Sequence, residues 1–159
     1  MDEQARREIL KSIPYGFYIT GVVSGSGEPN GFTTCWVSQA SFEPPQITLA
    51  ARRGHRTRDC IEETGVFSLN FLDAGQEELA RRFAGPLSPG DGTVGGARYT
   101  TGSTGAPLFE DAFASLECRV AGRLEAGDHT VYLGEVVDAR LRRPADLLTD
   151  LETPLEYGG

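Results

Sequence analysis

The sequence predicts a single mainly-β domain, an antiparallel barrel carrying a few short helices. Three observations lead there. Six or seven segments are rich in β-branched and aromatic residues. Most are joined by turn-forming Gly, Pro, Asn and Asp rather than by helical crossovers, and the helical segments are too few to alternate with strands as a parallel sheet requires. The 159 residues suit one core, and 39% hydrophobic with 24% charged residues is the composition of a globular chain. Residues 1–159 are therefore read as one domain.

The elements follow in order. Residues 2–11 read as a short helix with Ile9 and Leu10 as its apolar contacts. "YGFYITGVV" (15–23) and "FTTCWVSQAS" (32–41) read as strands, joined across "GSGEPNG" (25–31), a concentration of turn residues. "EPP" (43–45) cannot lie in a central strand, because proline lacks the ladder N–H. "QITLAA" (46–51) is the third strand. "TRDCIEETG" (57–65) predicts a helix with Thr57 as N-cap and Gly65 as its stop. "VFSLNFL" (66–72) is a strand, and Asp73 with Gln76 forms a capping-box pattern before a helix over 77–84. Residues 85–107 predict a long Gly-rich loop, with a short hairpin around 97–102. Two long strands, 113–124 and 129–141, pair across "EAGD", and "ETPLEYGG" is an extended tail.

Charge narrows the function. A net charge of -8 argues against a nucleic-acid or anionic-membrane partner, since either needs a broad basic face. No apolar run approaches the roughly 20 residues of a membrane helix. The charged N-terminus lacks the apolar stretch of a signal peptide, so the expected location is cytoplasmic. Cys35, Cys60 and Cys118 are too far apart for C-x-x-C chemistry and are expected to be reduced and buried; no metal site is expected.

Against this acidic background, "ARRGHRTRD" (51–59) holds four of the fourteen arginines. It lies between a strand end and a helix N-terminus, where free N–H groups and the helix dipole favour an anion. The arginines, with Gly54 for close backbone approach and the Thr57 hydroxyl, could make a phosphate pocket there. The other reading is a solvated loop whose arginines balance Asp59, Glu62 and Glu63. The neighbouring strand is more polar than a core strand needs: Thr33, Thr34, Ser38, Gln39 and Ser41 could hold a planar polar ligand.

"NGFTTCWVSQASFEPPQITLAA", "TGVFSLNFL", "ELARRFAG" and "AGDHTVYLGEVVDA" together resemble the flavin reductase-like, FMN-binding split-barrel family, nearest its ferric reductase and flavoredoxin type, from about residue 13 to residue 142. The resemblance implies a six-stranded antiparallel split barrel that forms a homodimer with the flavin near the interface. It implies FMN as cofactor, with FAD used by some relatives, and NAD(P)H as electron donor. By position, Thr34, Cys35, Trp36 and Gln39 would line the isoalloxazine; Ala51, Arg52 and Arg53 would follow the ribityl chain; and His55 and Thr57 would close the phosphate pocket. His129 would stand at the flavin and nicotinamide as the catalytic candidate. Many relatives carry Asn where this chain has Cys35, and Trp36 is bulkier than the residue common there. The other reading of His129 is a strand-start histidine bonded to a loop, and that of Trp36 a core or interface aromatic. Two functions follow from the resemblance: an NAD(P)H-dependent flavin or ferric reductase, serving a monooxygenase or another acceptor, or a flavoredoxin-like carrier with retained FMN.

Overall fold

A computed structural model describes residues 1–87, 89–90 and 92–157. The last two residues of the expected extended tail lie outside the described residues. Helix α1 (Glu3–Lys11) is capped by Asp2, whose carboxylate accepts from the N–H groups of Gln4 and Ala5. None of its residues is buried, and Ile9 and Leu10, expected as its apolar contacts, are exposed.

Strands β1 (Tyr18–Val23) and β2 (Pro29–Thr34) form the expected hairpin. The expected strand 32–41 is in fact two, because the chain turns sharply at Cys35–Trp36, where the Val37 N–H reaches back to the Cys35 carbonyl at 3.0 Å. Strand β3 (Val37–Ser41) then pairs with β4 (Gln46–Arg52) rather than with β1. Helix α2 (Arg56–Thr64) ends as predicted at Gly65, whose φ of 68° is the left-handed conformation that glycine adopts without penalty. Its N-cap is His55, not Thr57. The His55 carbonyl accepts from Arg58 and Asp59, so the backbone alone makes the cap and Thr57 falls inside the helix.

Strand β5 (Val66–Phe71) and helix α3 (Glu77–Phe83) follow. Only half of the capping box forms: the Gln76 side chain accepts from the Asp73 N–H at 3.0 Å, while the Asp73 carboxylate serves Gly75 and Arg143. Residues 85–107 are not a structureless loop. They supply the short strands β6 (Pro89–Gly90), β7 (Thr93–Val94) and β8 (Ala97–Thr101), which with β9 (Pro107–Phe109) make a second, four-stranded sheet. The long strands β10 (Ala114–Ala126) and β11 (His129–Leu141) pair across a two-residue turn. Gly127 there has φ 63°, the sign that the first position of such a hairpin turn demands.

The main sheet has seven strands in the order β2-β1-β5-β10-β11-β4-β3. The expected count of six is corrected to seven by the break at Cys35–Trp36. The edge strands β2 and β3 are joined by only two residues, so the sheet must roll up, yet its ladder does not close, because the two edges pair with different neighbours. Inside the roll lies one core, with Tyr18, Val22, Leu49, Phe67 and Tyr132. Outside it a second core joins β1 to α3 and the small sheet through Phe17, Ile19, Phe83 and Phe109. β1 is thus buried on both faces, alternate residues serving alternate cores. Asn70, fully buried, ties the layers together. Its amide donates to the Ile19 carbonyl at 3.0 Å, and its carbonyl accepts from Phe109 N–H and the Ser115 hydroxyl. No helix among the described residues is long and apolar enough to cross a membrane.

Candidate functional site

The outer core opens into a cavity of about 610 Å³, within the usual range for small-molecule sites. Its walls come from the end of β2, the end of β4, the first turn of α2, the end of α3 and the C-terminal segment. Thr34, Cys35, Arg52, His55 and Thr57, all expected in the site, line it.

Ala51 does not, because side chains alternate along a strand. Ala50 and Arg52 face the cavity, and Ala51 is buried in the inner core. Gln39 lies beyond the break at Cys35–Trp36 and borders a separate hollow of about 410 Å³ floored by Tyr18, Val37, Ile47 and Phe71. Arg53 is also off the cavity wall, with its guanidinium on Glu125.

The arginines divide by their partners. Arg53 pairs with Glu125 and Arg56 with Glu28, while Arg58 stands 3.6 Å from Glu125 and 3.8 Å from Glu62. Arg52 pairs with no carboxylate among the described residues. Its charge is felt nearby, where it helps to hold the Asp128 carboxyl low. Thr57 is only 5% exposed, and its Oγ1 is buried with no hydrogen-bond partner. A hydroxyl left so costs about 1–3 kcal/mol. Together with the Arg56 and Thr57 N–H groups at the start of α2, which have no backbone acceptor, these groups can hold an anion.

At the other end of the cavity Tyr157 lines the wall, and behind it Trp36 and His129, both expected in the site but neither on the wall, form an aromatic corner with it. The Trp36 and His129 rings lie 4.7 Å apart, and Tyr157 meets Trp36 edge-on at 5.1 Å. His129 Nδ1 is 2.8 Å from Asp128 Oδ1 and Nε2 is 2.7 Å from the Tyr157 hydroxyl. The hydrogen bond from His129 is the main reason that the Asp128 carboxyl lies below its ordinary range. Burial pushes the Tyr157 phenol up, with Arg52 acting against it. Cys35 is a free thiol, raised to about 12 chiefly by burial, so it is an inert apolar wall rather than a nucleophile.

Sequence reasoning missed the C-terminal wall. Leu155, Glu156 and Tyr157 line the cavity, as do Asn30 and Phe83. Leu155 and Tyr157, apolar residues in an otherwise polar tail, were the available signal. The tail is held down at three points: Tyr157 N–H to the Tyr15 hydroxyl at 2.8 Å, Glu156 to Lys11 at 2.7 Å, and Leu155 against the outer core.

The sequence matches the family model described as "Flavin reductase like domain" over residues 10–157. It is 34% identical over 134 residues to diflavin flavoprotein A 1 of Synechocystis sp., covering 83% of this chain and 23% of that protein. It is 35% identical over 131 residues to a flavin reductase (NADH) of Kitasatospora aureofaciens, covering 81% of this chain and 67% of that one. The chain therefore spans about a quarter of the first relative and about two thirds of the second. Among solved structures, an NADH:FAD oxidoreductase of Streptomyces globisporus C-1027 superposes with a TM-score of 0.78 at 32% identity, covering 92% of this chain and 86% of that one.

Proposed function

The chain belongs to the flavin reductase-like domain family, and from that premise we propose that it is an NAD(P)H-dependent flavin reductase that takes FMN in the cavity bounded by β2, α2 and the C-terminal segment. The observation that carries this reading is the pairing, on one cavity wall, of a buried Thr57 hydroxyl without a partner and an Arg52 that pairs with no carboxylate among the described residues. A phosphate monoester satisfies both, and the N-terminus of α2 adds its N–H groups. When bound, the flavin supplies the redox chemistry, accepting hydride from the nicotinamide and passing reducing equivalents on.

The protein's own residues bind and orient. Thr34, Cys35 and Ala50 give a close wall for a planar ring, Phe83 gives an apolar one, and the segment 155–157 screens it from water. His55, exposed at the N-cap, adds a ring nitrogen beside the phosphate position. No acid or base is needed for hydride transfer, in keeping with a cavity to which the described residues bring no carboxylate except that of the surface residue Glu156.

FMN is favoured over FAD because α2 offers one compact anion subsite, although a relative is named for FAD. NADH is favoured as donor. Two relatives are named for it, and Arg56 and Arg58, which could meet a 2′-phosphate, already face carboxylates. The chain acts as a homodimer, because the outer edge of β3 has no strand partner among the described residues and borders the apolar second hollow. The reduced flavin goes to a monooxygenase or another electron acceptor.

The test is the absorbance of the purified chain with FMN, followed anaerobically on adding NADH. Bleaching of the flavin band is the expected result. A bound flavin that neither NADH nor NADPH bleaches would mean an electron carrier, and failure to bind any flavin would overturn the site.

A further inference from the structure

His129 matches the family's position for a residue that meets the cofactors, yet it is not what the cavity sees. It is only 6% exposed, lies under Trp36 and is absent from the cavity wall; Tyr157 stands there instead. The geometry points to Tyr157 as the group that touches the bound molecule, accepting a hydrogen bond from a ring or carboxamide N–H, with His129 and Asp128 as positioning residues behind it. This rests on the cavity being the flavin site.

The protons decide which way each bond runs. The Asp128 carboxylate has no proton to give, so the tautomer it selects carries the imidazole proton on Nδ1 and donates it across 2.8 Å. Nε2 is then a bare acceptor, and the Tyr157 hydroxyl donates to it across 2.7 Å. The tyrosine proton is thus committed to His129, and the phenolic oxygen keeps its lone pairs for the cavity. That makes Tyr157 an acceptor, suited to N–H donors. The pyrimidine edge of a flavin and the carboxamide of a nicotinamide both carry such a donor. Tyr157 does not depend on His129 for its place, because its backbone is held by Tyr15 and its neighbours by Lys11 and the outer core. His129 therefore sets the direction of the hydroxyl rather than the position of the ring.

The experiment uses the full chain and two readouts: FMN affinity by fluorescence quenching, and KM against kcat for NADH. Tyr157→Phe should weaken FMN binding, or raise KM for NADH, by about five- to tenfold, the loss of one neutral hydrogen bond. The first result assigns the flavin as donor and the second the nicotinamide. His129→Leu should show a smaller loss of the same kind, and His129→Gln, which can again accept from the hydroxyl, should restore it. In a Tyr157→Phe background His129→Leu should add nothing. Should His129→Leu fail to fold, Asp128→Ala on the exposed hairpin turn reads the same coupling. Tyr157→Phe unchanged within twofold on both readouts overturns the proposal, as does a His129 effect that persists without the tyrosine hydroxyl. A wild-type chain that binds no flavin overturns the functional reading itself, whereas one that binds FMN while Tyr157→Phe binds it equally well overturns this proposal alone.

Discussion

Thr34 and Gln39 are five positions apart in what reads as one strand, yet they border different hollows. The turn at Cys35–Trp36 separates them. The hollow on the Thr34 side holds unmet polar demand, in the Thr57 hydroxyl and the unpaired Arg52. The hollow on the Gln39 side has an apolar floor, a rim of Ser38, Gln39 and Ser41, and an open sheet edge. An unmet buried polar group and a cation in no direct ion pair among the described residues ask for a charged small molecule. An apolar floor within a polar rim is the anatomy of a protein contact. The two hollows, of about 610 and 410 Å³, are thus set apart by their chemistry more than by their volume.

The contrast breaks most sharply if the second hollow is not a contact surface. Ser38→Asp with Gln39→Asp would place like charges on both sides of a homodimer contact. Such juxtapositions cost several kcal/mol, enough to raise the dimer dissociation constant more than about a hundredfold. Light scattering should show the mass halved, and an unchanged mass would remove this hollow from the interface. Arg52→Ala is the counterpart on the first hollow. It should weaken FMN by about 1.5–3 kcal/mol, roughly ten- to hundredfold, while riboflavin binding and the mass of the proposed dimer stay as they were. Equal losses for FMN and riboflavin would place the phosphate elsewhere.

Thr57 and Thr20 sharpen the contrast by a smaller amount. Both hydroxyls are buried without partners, but Thr57 lines the cavity and Thr20 lies on β1 away from it. Replacing either by Val removes an unmet polar group at nearly constant shape. Each variant should stabilise the flavin-free chain by about 1 kcal/mol, or about 2–4 °C in melting temperature for a chain of this size. Only Thr57→Val should then lose part of the stabilisation that FMN confers. If both variants respond to FMN alike, the orphaned hydroxyl of Thr57 is a packing accident rather than a ligand contact.

The strands, their hairpins and the Gly65 stop could be read from sequence because each has a local signal. The break at Cys35–Trp36 could not, since neither residue is a turn former. The roll of the sheet imposes it, by making one stretch change partners from β1 to β4. The strands within 85–107 are two to five residues long and exist by pairing with one another, so no local pattern marks them. Thr57 looks like a cap because Thr often is one, but the His55 carbonyl does that work. Within the site, the anion end was legible as "ARRGHRTRD", and strand parity would have separated Ala51 from Arg52. Which arginine stays free was not legible, since Glu28 and Glu125 lie far away in sequence. Tyr157 was hidden because a tail has no periodicity to read.

Arg53 gives the smallest expected effect and the closest test of that division. Its guanidinium bonds Glu125, with both side chains nearly half exposed, and solvent screens such a pair so that it contributes little. If Arg53 is lost, Glu125 still has the Thr130 hydroxyl at 3.3 Å and Arg58 at 3.6 Å, so its charge is not stranded. The Arg53 N–H also bonds the Asp128 carbonyl at 2.9 Å, which a side-chain truncation leaves alone. Arg53→Ala should therefore change FMN affinity by no more than about twofold, although Arg53 adjoins Arg52 in sequence. A tenfold loss would mean that Arg53 leaves Glu125 for the phosphate on binding. The cluster would then act as one mobile anion site, and Glu125→Gln, which releases Arg53 in advance, should tighten FMN rather than leave it unchanged.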